Sequence, residues 1–407
     1  MSVITLVGAA FCNKSVVSRE ILASSGFKAV DIKEIVATAG QSSGMSEAKI
    51  MAAFSAKTSI FNRFTHEKER SVAHLRLALA QVLRDDNLLI EGPVSFLIPE
   101  KITHVLRVCL VADSKYRINE AMQREGLSEK AALHTIRQQD EDLAALLKML
   151  ERGDDPWAST LYDIVIPMDK TTVAEAAALI IEKAGSDVVA RTAHSQTLLD
   201  DYLLAAQVEV KLAQEGHNVS VDARKGAVTL TINKNVLMLS RLEEELKSIV
   251  EKVPGVATVA TRIGENFYQP DIYRKYDFEV PSKVLLVDDE RDFVQTLSER
   301  LIMRDMGSAV AYDGESALNM IQEEEPEVMI LDLKMPGIDG IEVLRQVKAT
   351  NPDIEVIVLT GHGTEKDKDV CMELGAFAFL QKPVDIQLLS QTLIKANEKV
   401  QGKKQRR

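Results

Sequence analysis

Five side chains in the last third of the sequence, Asp288, Asp289, Asp332, Thr360 and Lys382, are of the types that phosphoryl chemistry needs. Asp332 ends an apolar run, Val328–Leu331. Asp288, Asp289 and Glu290 end the run Lys283–Val287, Thr360 ends Ile354–Leu359, and Lys382 follows Ala376–Leu380. A carboxylate is a weak nucleophile, so a reaction at Asp332 depends on positioning and on neutralising phosphoryl oxygens. Asp289 and Asp332, with Asp288 one layer out, offer an oxygen-only set suited to Mg²⁺. Such an ion would offset repulsion among the acids and polarise an incoming phosphate. Lys382 can pair with one phosphoryl oxygen and the Thr360 hydroxyl can donate to another. The plain alternative is a set of helix caps. All of these types, in order, at successive strand ends, argue against it.

The elements that position these residues follow from the pattern. Short apolar runs that end in polar residues, each followed by an amphipathic stretch, predict an open parallel α/β sheet with its chemistry at the carboxyl edge. A turn carrying Pro336, Gly337 and Gly340 leads from Asp332 into a helix that begins at Ile341. The segments VLLVDDE, DLKMPGIDG, VIVLTGHG and FLQKP resemble the receiver domain of two-component response regulators, over about 283–400. The resemblance implies a flavodoxin-like (βα)5 fold, Asp332 as phosphoacceptor, and a phosphohistidine on a sensor histidine kinase as donor. It also implies Mg²⁺ held by Asp289, Asp332 and the backbone carbonyl of Lys334, with Asp288 assisting. Phe379 falls where that family keeps the aromatic ring that changes rotamer together with Thr360.

At the other end, VITLV at 3–7 reads as a buried strand running into GAAFCNKS at 8–15. This resembles a phosphate-binding loop, with Gly8, Lys14 and Ser15 in place and Asn13 where a second glycine belongs. Such loops turn backbone N–H groups and a helix N-terminus toward phosphate. Asparagine tolerates a left-handed backbone, although its side chain crowds the phosphate path. Leu88–Glu91, His104–Ala112 and Tyr162–Ile166 read as further strands. Ser128 is the expected N-cap of a helix after a break at Gly126–Leu127, and Thr172 with Glu175 has the spacing of a capping box.

Residues 1–184 resemble the cytidylate-kinase-like family, carried by the loop, AVDIKEI, REGLSEKAALHTIRQQDED and LYDIVI. The resemblance implies ATP or another nucleotide as ligand, with Arg117, Arg124 and Arg137 at helix and lid positions that could neutralise phosphates. Glu141 and Asp142 stand where a lid carries basic residues, and Glu91-Gly92 where a basic residue precedes glycine. These reversals favour a nucleotide-binding or vestigial domain over an active kinase.

Residues 185–197 read as a polar linker. Helical spacing of Leu199, Leu203, Ala206 and Val210 follows, then strands Asn218–Asp222 and Ala227–Ile232 around an Arg-Lys-Gly turn. A helix on Leu239, Leu242, Leu246 and Ile249 leads to a last strand, Val256–Arg262. This α-β-β-α-β order over 194–264 resembles a BON domain, an interaction or spacer module. Residues 265–282 form an aromatic-rich linker to the receiver.

The expected whole is a multidomain α/β chain: a P-loop parallel domain, a small α+β module and a receiver. A net charge of −12 argues against general nucleic-acid binding. No apolar run reaches the roughly 20 residues that span a bilayer. Three separated cysteines, Cys12, Cys109 and Cys371, argue for a reducing cytoplasm. The tail VQGKKQRR is too short for a helix-turn-helix, so no DNA-binding domain is expected on that side. The function expected is phosphorelay signalling, with the altered receiver face meeting the BON-like module or a second receiver, as in a homodimer. The rivals are a receiver-gated nucleoside monophosphate kinase and a non-catalytic scaffold.

Overall fold

A computed structural model describes residues 2–236, 238–268, 280–361 and 363–404. Two compact units result. One comprises Met1–Thr58 with Glu67–Tyr273, the other Ser59–His66 with Arg274–Arg407.

The first unit is built on β1 (Val3–Gly8), β2 (Lys28–Val30), β3 (Leu88–Glu91), β4 (Val105–Val111) and β5 (Ile164–Pro167). They form an all-parallel sheet in the order β2-β3-β1-β4-β5. The continuous apolar run of β1 fits its central place, since helices cover both faces of such a sheet. Expected caps appear where the side chains allow them. Ser128 accepts from Ala131 N, and Thr172 and Glu175 cap each other's backbone.

Residues 185–197 are not a linker. They hold a 3₁₀ turn, Asp187–Val189, and the start of a helix, Ala193–Gln214. The polar run misleads because Thr192 and Ser195 spend their hydroxyls on a reciprocal cap, at 3.1 and 2.9 Å. Leu199 and Tyr202 of this helix lie in the same apolar core as Leu75, Leu79 and Leu97. The middle module is thus continuous with the parallel domain.

That module carries β6 (Ser220–Arg224), β7 (Ala227–Ile232) and β8 (Thr258–Ile263), in the expected succession with the helix Leu239–Val250. β6 and β7 are antiparallel, β7 and β8 parallel. The hairpin turn holds Lys225 and Gly226 at φ 49° and 85°, as a two-residue turn matched to strand twist requires. Lys225 N donates to Asp201 Oδ1 on the long helix, which steadies the left-handed lysine.

The second unit contains β9 (Val284–Val287), β10 (Ser308–Ala311), β11 (Val328–Leu331), β12 (Glu355–Thr360) and β13 (Ala378–Gln381). All are parallel, in the order β10-β9-β11-β12-β13. This 2-1-3-4-5 winding is the flavodoxin-like arrangement, whose switch point lies between its first and third strands. Apolar clusters cover both faces of the sheet. Of the expected 265–282 linker, residues 269–279 lie outside the described residues. Among those described, no helix is long and apolar enough to cross a membrane.

Candidate functional site

Register sets the geometry of the second unit. Val287 and Leu331 are paired across β9 and β11, so Asp288 and Asp332 emerge side by side at the carboxyl edge. Asp332 N donates to Val287 O at 2.9 Å, which fixes the two strand ends together. On the other side Leu331 pairs with Val358, and Val358 with Phe379. Thr360 and Lys382 therefore sit just beyond the same row, and Lys382 N donates to Thr360 O at 3.0 Å. The turn after Asp332 folds back so tightly that a Cβ on Gly340 would lie 2.2 Å from Asp332 O.

One carboxylate oxygen each from Asp288, Asp289 and Asp332 lies within 4.8 Å of the others. Asp288 and Asp332 are only 4% and 5% exposed. Burial pushes the Asp288 carboxyl up from its ordinary value, the Lys382 ammonium pulls against that rise, and the charge of Asp332 adds to it. A trio of hard oxygen donors with one strained acid fits a small divalent cation such as Mg²⁺. Lys334, expected to lend a carbonyl, is exposed on the turn after β11.

Lys382 Nζ stands 2.6 Å from Asp288 Oδ2, 2.9 Å from Glu290 Oε1 and 3.6 Å from Asp332 Oδ2. The Phe293 ring lies 4.4 Å away on another side. Burial alone would lower the Lys382 ammonium, but its bonds to Asp288 and Glu290 outweigh burial and raise it. Thr360 is fully buried. Phe379 is half-buried, and its Cζ lies 2.6 Å from where a Cβ on Gly363 would be, with Thr360 Cγ2 at 2.7 Å. The two side chains thus meet over a glycine. The next helix, Glu365–Glu373, leaves Val370 and Met372 exposed.

In the first unit, the turn after β1 carries Phe11 at φ 64° and Asn13 at φ 60°. Left-handed residues are the kind that anion nests use, but here the intervening Cys12 N donates to Ala9 O at 3.2 Å. Asn13 was expected there; Phe11 was not, because nothing in a phenylalanine signals a positive φ. Gly8 packs at the strand end, where a Cβ would meet Leu110 Cβ at 3.3 Å. Lys14 opens the helix Lys14–Ser24, and its Nζ approaches Gly92 closely, 4.0 Å from the Cβ site there. Ser15 is exposed at the helix start.

The three arginines differ in their fates. Arg117 is buried; it donates through Nε to Ala10 O at 3.0 Å and through both Nη to Asp140 at 3.1 and 2.8 Å. It thereby ties the loop to the helix Glu129–Met149. Asp140, 23 residues away, carried no sequence signal of that tie. Arg124 pairs with Glu120 on its own helix at 2.7 Å. Arg137 is exposed beside Ser128 and His134. Of the two acids noted in the lid run, Asp142 accepts from Ala56 N at 2.6 Å. Glu91 accepts from Ser18 Oγ at 2.5 Å. Burial first, with nearby acids adding and Arg117 opposing, pushes the Cys12 thiol up to about 12, so it offers no thiolate at this loop.

Comparison with known proteins agrees with this division. Residues 284–394 match the response regulator receiver domain, and residues 3–170 match the cytidylate kinase-like family. A probable transcriptional regulator ycf27 of Guillardia theta is 40% identical over 107 residues, covering 26% of this chain and 42% of the relative. The response regulator MprA of Mycolicibacterium vanbaalenii is 33% identical over 110 residues, 27% of this chain and 48% of the relative. The chain thus spans about half the length of the curated relatives it matches. Among solved structures, a response regulator receiver domain protein from Clostridium thermocellum is 33% identical, covering 29% of this chain and 96% of its own, with a TM-score of 0.29. The C-terminal part of the chain is a response regulator receiver domain.

Proposed function

We propose that this protein is a two-component response regulator whose receiver takes a phosphoryl group on Asp332 from a sensor histidine kinase in the cytoplasm. The observation that carries the reading is the convergence of Asp288, Asp332 and Lys382 at the carboxyl ends of β9, β11 and β13, with Lys382 Nζ 3.6 Å from Asp332 Oδ2. One carboxylate oxygen of Asp332 forms a bond to phosphorus as the donor's P–N bond breaks, and the imidazole leaves with the electron pair. Lys382 and the Thr360 hydroxyl serve the phosphoryl oxygens. Asp288, Asp289, Asp332 and the Lys334 carbonyl would hold Mg²⁺, which supplies charge neutralisation when bound.

The product adds about −1.5 to −2 charge at one strand end. Thr360 and Phe379 follow that charge and repack the face around Glu365–Leu374, where Val370 and Met372 are already exposed. That face is offered to a second receiver. In this reading 1–184 is a nucleotide-binding output, 194–264 a BON-like interaction module, and 283–400 the receiver.

Acetyl phosphate with Mg²⁺ labels the wild-type chain and leaves Asp332→Asn unlabelled; undiminished labelling of the variant ends the reading. For the first unit, Gly8, Lys14 and Ser15 cradle the phosphates of ATP or another nucleotide. The commitment of Arg117 to Asp140 and Ala10 favours binding over transfer to a monophosphate. A fluorescent ATP analogue binds wild type and loses at least tenfold affinity in Lys14→Ala, by titration. ATP consumption that depends on an added nucleoside monophosphate would instead favour the kinase rival.

A further inference from the structure

Lys382 has three N–H donors and no acceptor. Two of them are committed: one to Asp288, buried within the acidic trio, and one to Glu290, whose side chain is 64% exposed at the rim. The contact with Asp332, at 3.6 Å, is the longest of the three and lies beyond hydrogen-bond distance. The Phe293 ring closes another side of the ammonium at 4.4 Å. The cation that must meet a phosphoryl oxygen is therefore held toward the β9 end of the row.

We propose that Glu290 is a positioning residue for the phosphoryl transfer: its carboxylate holds Lys382 in a waiting position and competes with the incoming phosphoryl group for that ammonium. The inference rests on the assignment of Asp332 as phosphoacceptor. Its logic is a competition between two anions for one cation. When the O–P bond to Asp332 forms, a phosphoryl oxygen becomes a new acceptor beside Lys382, and the bond to Glu290 is the one given up. Asp288 keeps its place because it is buried, whereas the exposed Glu290 exchanges its partner readily with water. Glu290 thus sets how strongly the receiver retains a phosphoryl group and how fast it takes one.

The test uses the full chain with Mg²⁺ and compares wild type, Glu290→Gln and Asp292→Asn. Asp292 is an exposed acid two residues further on, with no bond to Lys382 among the described contacts. Two quantities are read: the rate constant for labelling by acetyl phosphate, and the affinity for beryllofluoride, a non-covalent phosphoryl mimic, by fluorine NMR. Both rise about two- to five-fold in Glu290→Gln, the scale of an exposed ion pair, and neither rises in Asp292→Asn. An unchanged or lower value in Glu290→Gln, or an equal rise in Asp292→Asn, overturns the proposal, the latter because mere surface repulsion of anions would explain it. Absence of any labelling in wild type strikes the phosphoacceptor assignment itself.

Discussion

Gly363 is a residue on which Thr360 and Phe379 both rest. With Phe379 Cζ and Thr360 Cγ2 each under 3 Å from its Cβ site, Gly363→Ala displaces the ring or the loop. Overpacking of this kind costs about 1–3 kcal/mol, to be read from a urea denaturation midpoint. Two buried histidines give a second expectation. Burial, then Arg70, holds His74 down to about 4, and burial, then Arg191, does the same to His104. Both are neutral when folded, while an unfolded histidine titrates near 6.5. Their contribution is fully present above about pH 6.5 and is lost as pH falls toward 4, by up to about 3 kcal/mol each. Urea midpoints at pH 7.5 and 5 should therefore differ, and His104→Gln should shrink the difference. At this scale Asp288, Asp332, Thr360 and Lys382 were legible because each closes an apolar run. Phe11 and the Arg117–Asp140 tie were not, because a backbone dihedral and a pairing across 23 residues leave no local pattern.

Among elements, the helix Ala193–Gln214 separates what was readable from what was not. Its apolar spacing from Leu199 onward was plain, and the strands around the Lys225-Gly226 turn followed from their alternation. Its first five residues read as tether, since a hydroxyl that caps a helix and one that meets solvent look alike in sequence. The helix packs on Glu67–Val82, where Arg76 Nη1 meets Glu209 Oε1 at 2.7 Å, and its Tyr202 OH donates to Leu97 O in the 3₁₀ turn Pro93–Leu97 at 3.0 Å. Leu199→Ala should cost about 2–5 kcal/mol. Because Leu199 is 1% exposed and shares its core with Leu75 and Leu79, the loss should reach the parallel sheet as well as the module. Fluorescence of Trp157, the sole tryptophan, should then report a lowered thermal transition of the first unit. A Trp157 transition left at the wild-type temperature would mean that the shared core does not couple the module to the sheet.

At the scale of the molecule, the receiver's parallel α/β fold was foreseeable, because parallel strands buried on both faces spell themselves out in valine, leucine and isoleucine. The strands β2 and β10 went unnamed; both are edge strands, only 3 and 4 residues long, with no continuous buried run. The apolar seam contributed by Leu199 and Tyr202 also bears on any attempt to move these parts between proteins. A breakpoint placed in the polar stretch before Thr192, where composition invites it, would leave each fragment with half of a hydrophobic surface facing water. Chimeras that transplant the kinase-like sheet should therefore carry everything through Ile263, and a fragment ending at 184 should be recovered mainly as aggregate.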